Sequence, residues 1–524
     1  MRNRIKSSWL VCVIRRLMPV VGAFALAGPF TLPYADVQAA TGPRVALIIG
    51  NAAYPSSPLS NPVNDAKAVS DVVKGFGFTV IEVRDASKVQ MEQAIEQAKD
   101  LLKGGGGIGM LYYAGHGLQL DWRNYLVPID ATLGSARDVA KQTVDVQLVL
   151  DAFKAARNAM NIIVLDACRD NPFGATGRGA GLAPMDAQWG TFVAYATAPG
   201  NLAEDGTSES GNSLYTQFLV QELKRPNTRI EEVFKRVRLQ VRQRTEGRQI
   251  PWESTSLEEE FYFDPTVKPV TVRESDRSRL IAAALLLEKT DWDRVKASSN
   301  PDDFYAYLQK YPGGLISEQA QFRLDQLQRA KVQPQRGANG VTALASGADR
   351  FLAGDEWAIE RTDGFSKESR RLRFRVTQVD NNRVMINDGR VILDQMGSVL
   401  KNRFGAKDPG VLVAPADLSI GKRWRSAFTN TTDSGNGSIN FYDFRVVAFE
   451  EIAVPAGTFK AFRVERLGFA TPPQGAQTTL SGTMWIDPTT MFVIRSDTVH
   501  RVNSRPTELF SDQLVSMKRA PRKQ

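Results

Sequence analysis

Two apolar runs without polar alternation constrain this chain more than any other feature. Residues 108–114 (IGMLYYA) and 161–167 (NIIVLDA) have the length and the β-branched and aromatic content of strands covered on both faces. Such strands belong to a parallel sheet with helices on either side, and ligands of these sheets sit beyond the carboxyl ends of the strands. Both runs close on chemistry. The first ends at Gly115-His116-Gly117, the second at Cys168, flanked by Asp166, Arg169 and Asp170. Two parallel strands ending this way would bring an imidazole and a thiol side by side.

A thiol is mostly protonated near neutral pH, and an adjacent imidazole takes its proton or stabilises the thiolate. The chain holds two histidines, His116 and His500, and of these only His116 ends a strand in the same predicted domain. The pairing of Tyr113-Ala114-Gly115-His116-Gly117 with Asp166-Ala167-Cys168-Arg169-Asp170, 52 residues later, resembles the caspase-like cysteine peptidases (peptidase C14 type), bacterial metacaspases and paracaspases above all. A His-to-Cys spacing of roughly 50 residues is typical of that family.

The resemblance implies a caspase-like α/β domain over residues 43–265 in which Cys168 attacks a peptide carbonyl and His116 handles the protons. By the same likeness, the oxyanion hole is formed by the backbone amides of Gly117 and Cys168. Asp166, two residues before the thiol and on the same side of the strand, matches the aspartate that in metacaspases and paracaspases binds a basic residue before the scissile bond. Asp65 matches a second acid of that pocket, and Asp205, or Glu204, supplies a third. Three carboxylates around one pocket repel each other unless a guanidinium or ammonium neutralises them, so cleavage after Arg or Lys is expected. Arg178 is then a candidate self-cleavage point.

The 524 residues exceed one ordinary core. Residues 1–39 combine Arg2, Arg4, Lys6, Arg15 and Arg16 with an apolar stretch and Val37-Gln38-Ala39, the pattern of a secretory signal peptide; an uncleaved anchor is the alternative. Periplasmic export is expected. Cleavage after Ala39 would remove Cys12 and leave Cys168 as the sole cysteine, which chemistry explains better than structure in an oxidising compartment. The net charge is +9. The leader's five basic residues against Asp36 account for four of these, and the remaining +5 is too mild to imply nucleic acid. No cofactor and no metal site is expected, and calcium activation is left open.

Strand and helix alternate through the first domain, with strands near 44–51, 78–83 and 192–198 and helices opening near Asn64, Ser87, Ser213 and Ile230. The helix over residues 230–245 carries an apolar stripe and many arginines, whose face is read as solvated. Residues 104–107 are four glycines between a helix and the His116 strand. That order makes them a turn rather than a phosphate loop. Residues 277–330 resemble one helical hairpin of the tetratricopeptide kind, or a spacer; residues 331–350 read as a linker. From 350 to 515, period-two patterns such as Leu372, Phe374 and Val376 between Arg373, Arg375 and Thr377 predict an antiparallel β domain without evident chemistry. A polypeptide substrate is expected, with a protein partner for the C-terminal domains. The alternative is a silent caspase-like scaffold that binds peptides, and a transpeptidase would share the acyl-enzyme step.

Overall fold

The computed structural model describes residues 42–121, 123–168, 182, 185, 190–197, 211–257, 260–264, 274–328, 351–380, 383–415, 418–472 and 476–521. The leader and the linker at 331–350 lie outside the described residues.

The first unit runs β1 (Arg44–Gly50), α1 (Pro62–Gly75), β2 (Thr79–Arg84), α2 (Lys88–Leu101), β3 (Ile108–Leu120), β4 (Arg123–Leu126), α3 (Ala136–Gln142), β5 (Val144–Asp145), α4 (Val146–Ala155), β6 (Met160–Cys168), β7 (Thr191–Tyr195), α5 (Leu214–Leu223), α6 (Ile230–Arg244) and β8 (Trp252–Thr255). Its sheet has the order β2-β1-β3-β6-β7-β8, parallel except for β8. Alternate residues of each central strand enter two separate cores. Tyr112, Ile162 and Phe192 pack under α1, α5 and α6, while Leu111, Ile163 and Val193 pack under α2 and α4. This is why the strand sequences lack polar alternation.

β3 does not stop at the Gly-His-Gly segment. It runs on to Leu120 because β4 folds back on it in antiparallel register, Gly117 opposite Leu126. His116 is therefore held within a strand rather than at its end.

The segment expected as one hairpin forms three helices, α7 (Glu274–Val295), α8 (Pro301–Lys310) and α9 (Ser317–Gln328). Asn300 caps α8 by accepting from the Asp302 amide at 3.2 Å. So short a unit is sustained by burial on both sides: Ile281, Leu285, Phe304 and Leu324 share a core with Leu239 of α6 and with Ala427, Phe441 and Phe469. The last three belong to the C-terminal domain, which is a closed barrel of twelve strands: β9 (Glu356–Asp363), β10 (Ser369–Val379), β11 (Val384–Ile386), β12 (Val391–Leu393), β13 (Val399–Asn402), β14 (Gly405–Val411), β15 (Arg423–Thr431), β16 (Gly437–Val454), β17 (Gly457–Thr471), β18 (Thr478–Ile486), β19 (Val493–Val502) and β20 (Arg505–Lys518). Pairing of β20 with β9 closes it and removes the exposed edges that an open sheet would carry. Among the described residues no helix is long and apolar enough to cross a membrane.

Part of the basic face of α6 is buried, where the sequence reading has that face solvated. Arg236 and Arg242 are buried, Arg236 donating to the Gln309 carbonyl and Arg242 to Gln328 at 2.7 Å and Asp325 at 2.5 Å. These two arginines face α8 and α9 instead of water, whereas Arg244 at the end of the helix is exposed. The barrel also meets the first unit directly. Gly421 has φ +84°, and a Cβ there would lie 1.1 Å from the carbonyl oxygen of Thr255 in edge strand β8, so only glycine fits.

Glu288 ties the three helices together. It is 3% exposed and accepts from Tyr307 Oη at 3.0 Å, the Leu315 amide at 2.6 Å and the Ile316 amide at 2.8 Å, just before α9 begins. Burial outweighs these donors and raises its pKa from 4.5 to about 7. The folded state thus holds this proton more tightly than the unfolded chain, so the contribution is present in full below pH 4.5 and lost as pH rises through about 7. Glu288→Ala is expected to lower stability by about 2–4 kcal/mol in urea unfolding followed by helical circular dichroism, because buried donors are left unpaired. Glu288→Gln should cost less and remove this part of the pH dependence. A loss below about 0.5 kcal/mol in the alanine variant, the range of a surface substitution, would mean the carboxylate does not hold this turn.

Candidate functional site

The register between β3 and β6 builds the site. Ala114 lies opposite Asp166, Gly115 opposite Ala167 and His116 opposite Cys168. Neighbouring strands of a sheet run about 4.8 Å apart, so the two sequence motifs become spatial neighbours at the carboxyl end of the sheet. Arg178, Glu204 and Asp205 lie outside the described residues, as does the side chain of Cys168.

His116 is fixed through its backbone. Its N–H donates to Tyr54 Oη at 3.0 Å; its carbonyl accepts from the Val127 amide at 3.0 Å and from Tyr113 Oη at 2.6 Å. Tyr54 Oη in turn donates to the Val127 carbonyl at 2.9 Å. Burial raises the Tyr54 phenol to about 12 and pushes that of Tyr113 well above its ordinary value, so both remain proton donors. Gly115, with φ +152°, makes room for this bracket: a Cβ there would fall 2.7 Å from Tyr54 Oη and 2.8 Å from Tyr113 Oη.

The imidazole is tilted against the Tyr54 ring at a centroid distance of 4.4 Å. Nε2 lies 2.8 Å from the Ser57 carbonyl oxygen. A carbonyl only accepts, so Nε2 carries a proton, and in the neutral ring Nδ1 holds the lone pair. That tautomer can take a proton through Nδ1. Gly117 follows in β3, with Ala167 of β6 beside it.

Below this edge lie the two acids singled out from the sequence. Asp65, in the first turn of α1, is 1% exposed; Asp166, in β6, is 9% exposed. One residue joins them. The Ser213 amide donates to Asp65 Oδ1 at 2.9 Å, and its hydroxyl donates to Asp166 Oδ2 at 2.6 Å while accepting the Thr216 amide at 3.1 Å as the N-cap of α5. Asn212 Nδ2 donates to Asp65 at 2.8 Å, and Thr216 Oγ1 to Asp166 at 2.9 Å. These neutral donors do not offset burial and the neighbouring Asp166 carboxylate, which together raise the pKa of Asp65 from 3.8 to about 8. Without a ligand, Asp65 holds a proton at neutral pH. A cation between the two acids would displace it.

Sequence reasoning missed Tyr54, Ser213 and Thr216 as parts of the site. Ser213 carries a signal, since a serine opening a helix is a capping residue. Tyr54, in a loop rich in Pro and Ser, carries none. Outside this site, His500 Nδ1 sits 3.0 Å from Glu508 in the barrel, and burial lowers the imidazole pKa. Among the described residues, no group of three or more His, Cys, Asp or Glu side chains is arranged to hold a metal ion.

Residues 43–262 match the family model of the peptidase C14 caspase domain. A stretch of 127 residues is 31% identical to mucosa-associated lymphoid tissue lymphoma translocation protein 1 of Homo sapiens, covering 24% of this chain and 15% of that protein. The Mus musculus homologue matches equally. The chain spans only about 15% of the length of these curated relatives. Among solved structures, the Drosophila initiator caspase Dronc matches with a TM-score of 0.32 and 16% identity, over 46% of this chain and 95% of that one. The family match and the motifs within it identify residues 43–262 of this chain as a caspase-like domain.

Proposed function

We propose that this protein is an exported, periplasmic cysteine endopeptidase that cleaves polypeptides after Arg or Lys and needs no cofactor for the chemical step. The observation that carries the reading is the register setting His116 opposite Cys168, with the Asp65 and Asp166 carboxyls buried beside it. The Cys168 thiol gives its proton to His116 Nδ1 as its sulfur bonds to the peptide carbonyl carbon. The amides of Gly117 and Cys168 hold the negative oxygen of the tetrahedral intermediate. His116 returns the proton to the leaving amine as the C–N bond breaks, and water then hydrolyses the thioester and restores the thiol.

Specificity rests on charge. A guanidinium or ammonium entering between Asp65 and Asp166, with Asp205 as a third acid, exchanges for the proton on Asp65 and relieves the repulsion between the carboxylates. An acidic side chain would add to that repulsion.

Fluorogenic peptides differing only before the scissile bond test the chemistry. The mature chain should turn over the Arg and Lys peptides and leave the Asp peptide intact, and Cys168→Ala should reduce the rate by about 10³-fold or more. Cleavage after Asp, or activity retained in the variant, refutes the proposal.

The acid pair predicts a pH signature. Below about pH 8 a bound cation must displace the Asp65 proton, so KM for the Arg peptide is expected to fall as pH rises towards about 8. Asp65→Asn should raise KM by roughly 10- to 100-fold and flatten that dependence, the loss of one charge-assisted contact. An unchanged KM profile in the variant would remove Asp65 from the pocket.

A further inference from the structure

A cavity of about 160 Å³ lies where the caspase-like unit, the three helices and the barrel meet. Its walls are α6 and β8, the turn between α8 and α9, and the barrel segment leading into β15. Trp252, Leu308 and Trp424 supply apolar surface. Most of its charges are matched. Arg229 bonds Glu232 at 2.7 Å and Glu260 at 3.0 Å, Arg238 is paired with Glu253, and Lys422 lies 3.3 Å from Glu318.

Two charged side chains on α6 lack a hydrogen-bonded counter-charge, although the Arg229 guanidinium acts on Glu231 through space. Glu231 has its Oε2 buried with no hydrogen-bond partner. Lys235, one turn later, lines the cavity, and among the described residues no carboxylate lies within salt-bridge distance of its ammonium. Burial lowers the pKa of this ammonium, and the more distant Glu318 and Glu253 offset only part of that. A Glu-to-Lys spacing of four usually gives a bonded pair on a helix. No such pair forms here, and both residues line the cavity.

We propose that this cavity binds a small zwitterion, an α-amino acid or a dipeptide, whose carboxylate meets Lys235 and whose ammonium meets Glu231. A simple anion would leave the buried Glu231 oxygen without a hydrogen bond, and a simple cation would leave half-buried Lys235 without a counter-charge. The volume is close to that of an engineered cavity that accepts benzene, which sets the ligand at about the size of one or two small residues. Because the three units share the walls, an occupant bridges them. The inference does not rest on the peptidase chemistry.

Calorimetry and thermal unfolding of the full chain test it with L-alanine, L-leucine and glycylglycine against acetate and methylamine. At least one zwitterion should bind saturably with a Kd of about 1 mM or tighter, a reach realistic for so few atoms, and raise Tm. Preference between amino acid and dipeptide identifies the source. Acetate and methylamine should do neither, and Lys235→Met and Glu231→Gln should each weaken binding at least about tenfold. The proposal falls if no zwitterion binds up to about 10 mM, if acetate or methylamine binds as tightly, or if both variants bind unchanged. The ligand series on the unaltered chain decides the matter even if a variant folds poorly.

Discussion

Everything at the candidate site depends on the parallel pairing of β3 with β6. Motifs 52 residues apart in sequence become neighbours only because Ile108 pairs with Met160 and the register is kept without a bulge to His116 and Cys168. A slip of one residue would send alternate side chains to the opposite face. That slip is opposed along the whole strand pair, since Tyr112, Ile162 and Val164 fill one core and Leu111, Ile163 and Leu165 the other. Burying each such side chain stabilises the fold by about 1.5–3 kcal/mol. The geometry of the site is thus enforced by residues that take no part in its chemistry.

The two buried carboxyls are a cost that the same fold carries. Asp65 would titrate near 4 in an unfolded chain and does so near 8 here, so folding becomes less favourable as pH rises between those values. The hydroxyls and amides of Ser213, Thr216 and Asn212 limit that cost without adding charge. An arrangement that destabilises the ligand-free protein, and that a cation would relieve, is what perturbed groups at a binding site lead one to expect. Ser213 couples the two acids to the helix, because one residue caps α5 and bonds both carboxyls.

The parts legible in the sequence are those governed by local pattern. Continuous apolar runs gave the central strands, Ser87 marked the opening of α2, and the alternation of strand and helix gave the parallel sheet. What was not legible depends on distant partners. β3 continues through the Gly-His-Gly segment because β4 returns to pair with it. Tyr54 becomes part of the His116 bracket because β1 delivers its loop beside β3. The closure of the barrel requires β9 to meet β20, about 150 residues apart, which alternation alone does not encode.

The arginine-rich face of α6 shows most clearly why composition misleads at an interface. Taken alone, basic residues opposite an apolar stripe describe a surface helix. In the folded chain, each acceptor that buries those side chains comes from a later segment: the Gln309 carbonyl from α8, Gln328 and Asp325 from α9. Guanidinium groups can be buried this way because their several donors satisfy carbonyls and carboxylates at once. The helices then serve as a polar-faced wedge between the caspase-like unit and the barrel, while Gly421 lets the barrel touch β8 directly. Edge strand β8 thus has the barrel against it at Thr255. The barrel is therefore packed against the outer strand of the caspase-like sheet and is not an independent appendage.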